Sequence, residues 1–244
     1  MHPVFSYAVT PKWKTGLFTI PAFLLFLIGL GLPAESFAHG VAEGDAVFIE
    51  SASGMQLLPF IYLGAKHMVT GYDHLLFLFG VIFFLFRMKD VAIYVTLFAV
   101  GHSVTLLYGV LSGTHVNPYI VDAIIGLSVV YKALDNLGAF RRWFGFQPNT
   151  KAAVLIFGFF HGFGLATKLQ DFTLSEYGLV ANILAFNVGV EIGQLLALAG
   201  ILIAMNFWRK SYSFNQHAFF TNAVLMALGF TLIGYQLTGY WITA

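Results

Sequence analysis

Gly64-Ala65-Lys66-His67-Met68-Val69-Thr70-Gly71-Tyr72-Asp73-His74-Leu75-Leu76 sets two histidines and a carboxylate against the start of an apolar run that continues to Phe86. The run is membrane-like, and the groups in front of it are ionisable. A charged side chain inside hydrocarbon costs several kcal/mol unless it is paired or ligated, so each such residue is a functional-site candidate. Working outward, the question is whether other spans carry similar groups at a similar depth.

Composition fixes the class. Of 244 residues, 59 % are hydrophobic and 9 % charged, with a mean hydropathy of +0.81, far from the roughly 25 % charge of soluble domains. The chain reads as an all-α, polytopic membrane helix bundle. Its formal charge of +1 is spread over short loops, with no basic patch or tail, which sets nucleic acid aside as a partner. There is no cysteine, so thiolate metal sites and disulfides are excluded, and His, Asp, Glu, Asn, Met and backbone remain as ligands.

Lys12 and Lys14, an apolar run from Leu17 to Leu32 and the small-residue site Ser36-Phe37-Ala38 have the layout of a cleaved signal peptide over residues 1–38. Cleavage there makes His39 the first mature residue, and a terminal amine beside an imidazole chelates Cu(II) or Ni(II). Residues 39–55 form a polar lead-in, and 56–244 a domain of six transmembrane helices. The apolar segments run at about Leu57–Phe86, Val91–Leu111, Pro118–Leu137, Ala152–Leu169, Leu179–Phe207 and Ala218–Trp241, each near the ~20 residues a span needs. The first contains Pro59, Gly64 and Gly71 and reads as a short broken piece followed by a span from about Gly71, because irregular backbone at membrane depth persists only where it is buried or lines a cavity. Basic residues fall in alternate loops, at Arg87 and Lys89, at Arg141, Arg142 and Lys151, and at Arg209 and Lys210. The positive-inside rule makes those loops cytoplasmic and both mature termini external, as in a bacterial inner-membrane protein. Lys132, near the inner end of its span, is expected to snorkel to the interface.

Depth then groups the polar residues. At 1.5 Å per residue, Asp73 lies ~21 Å above the cytoplasmic end of its span, Asp122 and Glu191 ~23 Å, His102 ~18 Å and His161 ~15 Å. His74 adjoins Asp73, and His67 lies a turn or two further out. Asn187, Glu191 and Gln194 follow at i, i+4 and i+7, and His102 pairs with Thr105 at i, i+3, with Ser103 beside it; such stripes are expected to face the bundle interior. Gly158, Gly162, Gly164, Gly189 and Gly193 let helices approach closely. Three intramembrane carboxylates lack an evident basic partner in the sequence, so a cation is missing: a proton, a metal or both. Imidazole with carboxylate suits Ni(II), Co(II), Zn(II) or Fe(II), and spacing does not choose among them. The candidate metal residues are His67, Asp73, His74, His102, His161 and Glu191, supported by Asp122, Asn187, Gln194, Ser103, Thr105 and His39. A short internal echo relates residues 97–102 to 156–161, as in transporters built from repeats.

In these blocks, Gly71-Tyr72-Asp73-His74-Leu75-Leu76-Phe77, Gly101-His102-Ser103-Val104-Thr105-Leu106, Phe160-His161-Gly162-Phe163-Gly164-Leu165-Ala166 and Phe186-Asn187-Val188-Gly189-Val190-Glu191-Ile192-Gly193-Gln194, the chain resembles the HupE/UreJ family of hydrogenase and urease accessory membrane proteins. The resemblance implies a secondary permease for nickel, or cobalt, with a cleaved leader and six or seven spans. The better-studied branch has His-Pro ahead of the Gly-x-Asp-His element where this chain has His67-Met68, which places it in a less characterised branch. The resemblance also implies hydrogenase or urease maturation proteins as partners, and a homo-oligomer is open. A second reading, from a different class, is an intramembrane zinc hydrolase with three histidines on Zn(II) and an acid as base. A third is an accessory subunit that delivers or senses metal, with copper also among the candidate ions. The marks of a zinc protease, a serine hydrolase and an ATP-driven pump are missing from the sequence.

Overall fold

The structure, a computed structural model, describes residues 43–170 and 177–243. The signal segment, His39 and the acidic loop at 171–176 lie outside the described residues. Every regular element among the described residues is a helix: α1 (Glu43–Ser51), α2 (Leu57–Thr70), α3 (Tyr72–Ile82), α4 (Met88–Ser112), α5 (Pro118–Asn136), α6 (Ala139–Phe144), α7 (Thr150–Gln170), α8 (Leu179–Arg209) and α9 (Ser213–Thr243). The lead-in, read as an exposed polar stretch, is helical from Glu43. Ile49 is buried, Phe48 meets Phe60 with ring centroids 6.2 Å apart, and Asp45 holds the Lys66 ammonium at 2.7 Å.

Local chemistry sets the ends. Asn117 caps α5 by accepting the Ile120 N–H at 3.3 Å, and Pro118 takes the first helical position, where its missing N–H costs nothing. Gly113 ends α4 in the left-handed region at φ 64°, where a Cβ is disfavoured. α4, α7, α8 and α9 are long and apolar enough to cross a membrane. α5 has 19 residues but carries Asp122, Lys132 and Asp135.

The first apolar segment breaks at Gly71, as its sequence suggests, but the second piece is short. α3 has 11 residues, ~16 Å of helix, and stops at Ile82. The carbonyls left at its end are satisfied from other elements. The Arg209 guanidinium donates to Ile82 O and, at 3.0 Å, to Phe83 O, and Asn136 Nδ2 donates to Gly80 O at 2.9 Å.

Three long-range helix pairs build the bundle, and glycines make each crossing. A Cβ on Gly64 of α2 would lie 2.0 Å from Phe186 O of α8, and one on Gly189 the same distance from Ile61 O. Ile61 faces Gly189 and Ala65 faces Gly193, so α2 and α8 run parallel. α4 and α7 are parallel too: Gly158 meets Phe98 O, Gly162 meets His102 O, and Gly109 meets the Ala166 methyl. The two segments that echo each other in sequence therefore lie side by side. α5 and α9 are antiparallel, with Gly126 against Ile233 and Gly229 against Val130. Backbones that approach this closely gain dispersion and Cα–H···O contacts, the main source of helix association where the surroundings are already apolar. The short α3 is wedged among these pairs, with Phe77, Leu78, Phe79, Ile82 and then Phe83 buried.

Candidate metal site

The break at Gly71 aims two histidines at one point. His67 ends α2 and His74 begins α3, and their ring centroids stand 5.0 Å apart. The turn has no room for a side chain: a Cβ on Gly71 would lie 2.6 Å from His74 Nδ1. α4 contributes His102 and α7 contributes His161, whose ring centroid is 5.0 Å from that of His74. His74, His102 and His161 are all fully buried, and Asp73 is 3 % exposed. One nitrogen from each of His67, His74 and His102 falls within 4.8 Å of the others, a spread that three ligands at ~2 Å from a common ion can reach by small rotations.

Hydrogen bonds fix two tautomers. Asp73 Oδ1 lies 3.0 Å from His74 Nδ1 and also accepts the His74 backbone N–H at 2.8 Å. A carboxylate accepts, so Nδ1 carries the proton and Nε2 keeps its lone pair. His161 Nδ1 lies 2.8 Å from Phe157 O; a carbonyl only accepts, so His161 also presents Nε2 as its basic nitrogen. This is the outer-shell pattern that orients metal-binding imidazoles. Neither ring nitrogen of His102 meets a hydrogen-bond partner of standard geometry among the described residues, although the Asn187 side chain of α8 approaches it. Gln194 is fully buried with both amide atoms equally unsatisfied. Leaving a buried polar group unmet costs about 1–3 kcal/mol, a cost that a bound cation and its waters would offset.

The remaining sequence-level candidates divide. Thr105 is buried and donates across to Phe159 O at 2.8 Å, pinning α4 to α7. Ser103 is half-buried, with no ligand role indicated. Asn187 is half-buried and turned inward, whereas Glu191 is exposed on the outer arc of α8, so the structure does not bring it to the cluster. Its expected inward orientation fails because 191 stands at the edge of the stripe that 187 and 194 define.

Two basic residues are ion-paired, and one of them corrects the sequence reading. Lys168 of α7 pairs with Asp122 of α5 at 2.8 Å, so that carboxylate has a partner the sequence did not make evident. The available signal was its position seven residues after His161, on the same helix face. Lys132 is 7 % exposed and pairs with Asp135 at 2.5 Å. Asp135 also accepts from Gln147 and, at 3.3 Å, from Thr150, tying the α5 end to the loop before α7.

A bundle of long apolar helices closed on a buried group of imidazoles with an oriented carboxylate defines a membrane protein with a metal-competent histidine cluster. The family described as HupE / UreJ protein matches residues 43–244. The chain belongs to that family. No curated protein and no solved structure matches it.

Proposed function

We propose that the protein is a permease for a divalent transition-metal ion, nickel or cobalt, in the bacterial plasma membrane. The observation that carries the reading is the meeting of His67, His74 and His102 nitrogens within 4.8 Å in the bundle interior, with Asp73 orienting His74. Membership of the HupE/UreJ family, generally linked to nickel and cobalt transport or accessory work, supports it. In this reading α2 with α3, and α5 with its buried pairs, complete six crossings with α4, α7, α8 and α9. The basic loops face the cytoplasm, and the ion is the cargo held by His67, His74, His102 and His161.

Cargo must leave as well as bind. Neutral imidazoles give a site of moderate affinity for borderline ions, and one anionic group behind His74 raises that ligand's basicity without adding a full charge to the shell. The zinc-hydrolase reading needs a free carboxylate as base. Among the described residues of the candidate set, Asp73 is engaged with His74, Asp122 with Lys168, and Glu191 is exposed, which favours the permease.

The test is titration of the purified protein with Ni(II), Co(II), Zn(II) and Cu(II), repeated on His102→Ala and His161→Ala. Exchangeable binding that is lost in His102→Ala supports the reading and calls for uptake assays. A single stoichiometric zinc that resists chelator overturns it in favour of the hydrolase.

A further inference from the structure

The Lys168–Asp122 pair is not used by the histidine cluster, yet its lysine sits on the helix that carries His161. His161 and Lys168 lie at i and i+7 on one face of α7, two turns or ~10 Å apart. The Asp122 carboxylate sits between their levels: its Oδ1 is 3.7 Å from where a Gly164 side chain would begin, and its Oδ2 takes the Lys168 ammonium at 2.8 Å. Gly164 is one turn from His161, and an added Cβ there would meet Val121 at 3.1 Å and the Asp122 carboxylate only at ordinary contact distance. Both side chains are largely buried, at 6 % and 15 % exposure. Asp122 lies within electrostatic range of Asp73 and His74, and Lys168 within range of His67.

We propose that Asp122 is the carboxylate of a second, outer cation site and that the Lys168 ammonium is its tethered occupant, which a divalent ion displaces on its way to the histidines. The inference rests on the permease reading for the direction of passage, but the site itself is defined by Asp122 and Lys168. An ammonium on a stem is a compact point charge that detaches without leaving the protein. While it sits on Asp122 it neutralises the carboxylate and occupies its oxygen. A divalent ion competes for the same oxygen with twice the charge, and displaced Lys168 returns once the ion has moved on.

The two partners therefore act on cation entry with opposite signs, and the additional equivalent bound when Lys168 is removed is what separates a site from simple charge steering. The experiment uses the full chain in nanodiscs with Co(II), following cobalt absorbance by stopped flow and stoichiometry by calorimetry. Lys168→Met is expected to speed Co(II) association about tenfold and to reveal an additional weak equivalent. Asp122→Asn is expected to slow association by a similar factor, because it leaves the ammonium without its counter-ion. Both variants should keep the equivalent that His102→Ala removes. Rates that shift in the same direction, or not at all, in variants that elute as monodisperse protein overturn the proposal. Should the wild-type histidines bind no Co(II), the permease reading fails separately. The outer site is then decided by whether Lys168→Met binds one weak equivalent that Lys168→Met with Asp122→Asn loses; no such equivalent overturns it.

Discussion

Asp73 decides which nitrogen of His74 faces the cluster. Removing that choice while keeping the shape, as in Asp73→Asn, frees the ring to adopt the other tautomer. Metal affinity should fall roughly 10- to 100-fold, as for other outer-shell partners of ligating histidines. Calorimetry with Ni(II) or Co(II) measures it, and an unchanged affinity would remove Asp73 from the site. Gly71→Ala tests the neighbouring constraint. Its methyl would press on His74 Nδ1 from 2.6 Å, so binding should weaken by at least the same factor while the helical circular-dichroism signal stays near wild type. The common level of Asp73, His74, His102 and His161 was legible in the sequence, because counting residues along a span gives the depth of each group. His67, expected a turn or two further out, stands instead with its ring 5.0 Å from that of His74. Depth is not direction. From Glu191 to Asn187 the helix turns by about 40° and from Glu191 to Gln194 by about 60° to the same side. That leaves Glu191 at the rim, and which side of the rim is buried depends on where α2 packs, which no local pattern states.

At the level of helices, the glycine crossings carry the association. Gly64→Ala would drive a methyl to 2.0 Å from the Phe186 carbonyl oxygen, a backbone atom that cannot rotate away. The pair α2 and α8 must separate, and the loss should exceed the 1–3 kcal/mol or so of ordinary overpacking. Gly200→Ala is the contrast. Gly200 lies on the same helix α8 with nothing within 4 Å of its added Cβ, so the substitution should be neutral or slightly stabilising through higher helix propensity. Thermal unfolding in detergent, followed by fluorescence, compares the two. Equal effects would show that the close approach is not what holds the pair. Glycine at small-residue spacing announced close packing in the sequence, but not the partner. The pairing of α2 with α8 and the stop of α3 at Ile82 depend on Asn182, which accepts the Gln56 N–H at 2.7 Å, and on Arg209, both more than 120 residues away.

For the molecule as a whole, orientation is the open prediction. The chain has no cysteine, so single cysteines can be placed without a background to remove. Thr114→Cys, in the loop between α4 and α5, should react with an impermeant maleimide added to intact cells. Ser211→Cys, between α8 and α9, should react only after the membrane is opened. Labelling of both from one side would contradict the odd number of crossings between those loops. The all-helical membrane class was readable from composition alone, because few charged residues in so apolar a chain leave no other solvent. The number of full crossings was less so, since α3 is too short to span unaided and α5 keeps three charges by pairing each with another side chain.

The parallel pairing of α2 with α8 bears on the order in which the protein can be made. Gln56 meets Asn182 across 126 positions of chain, and at ribosomal rates of about 5–20 residues per second that interval lasts roughly 6 to 25 s. For that time the glycine face of α2 lies against lipid. The imidazoles of α2, α3 and α4 also wait for His161, so the histidine cluster is incomplete until α7 has been threaded into the bilayer. The site is thus among the later features to form, and a chain stopped before α7 would reach the membrane with its histidines open to whatever ion or chaperone is at hand.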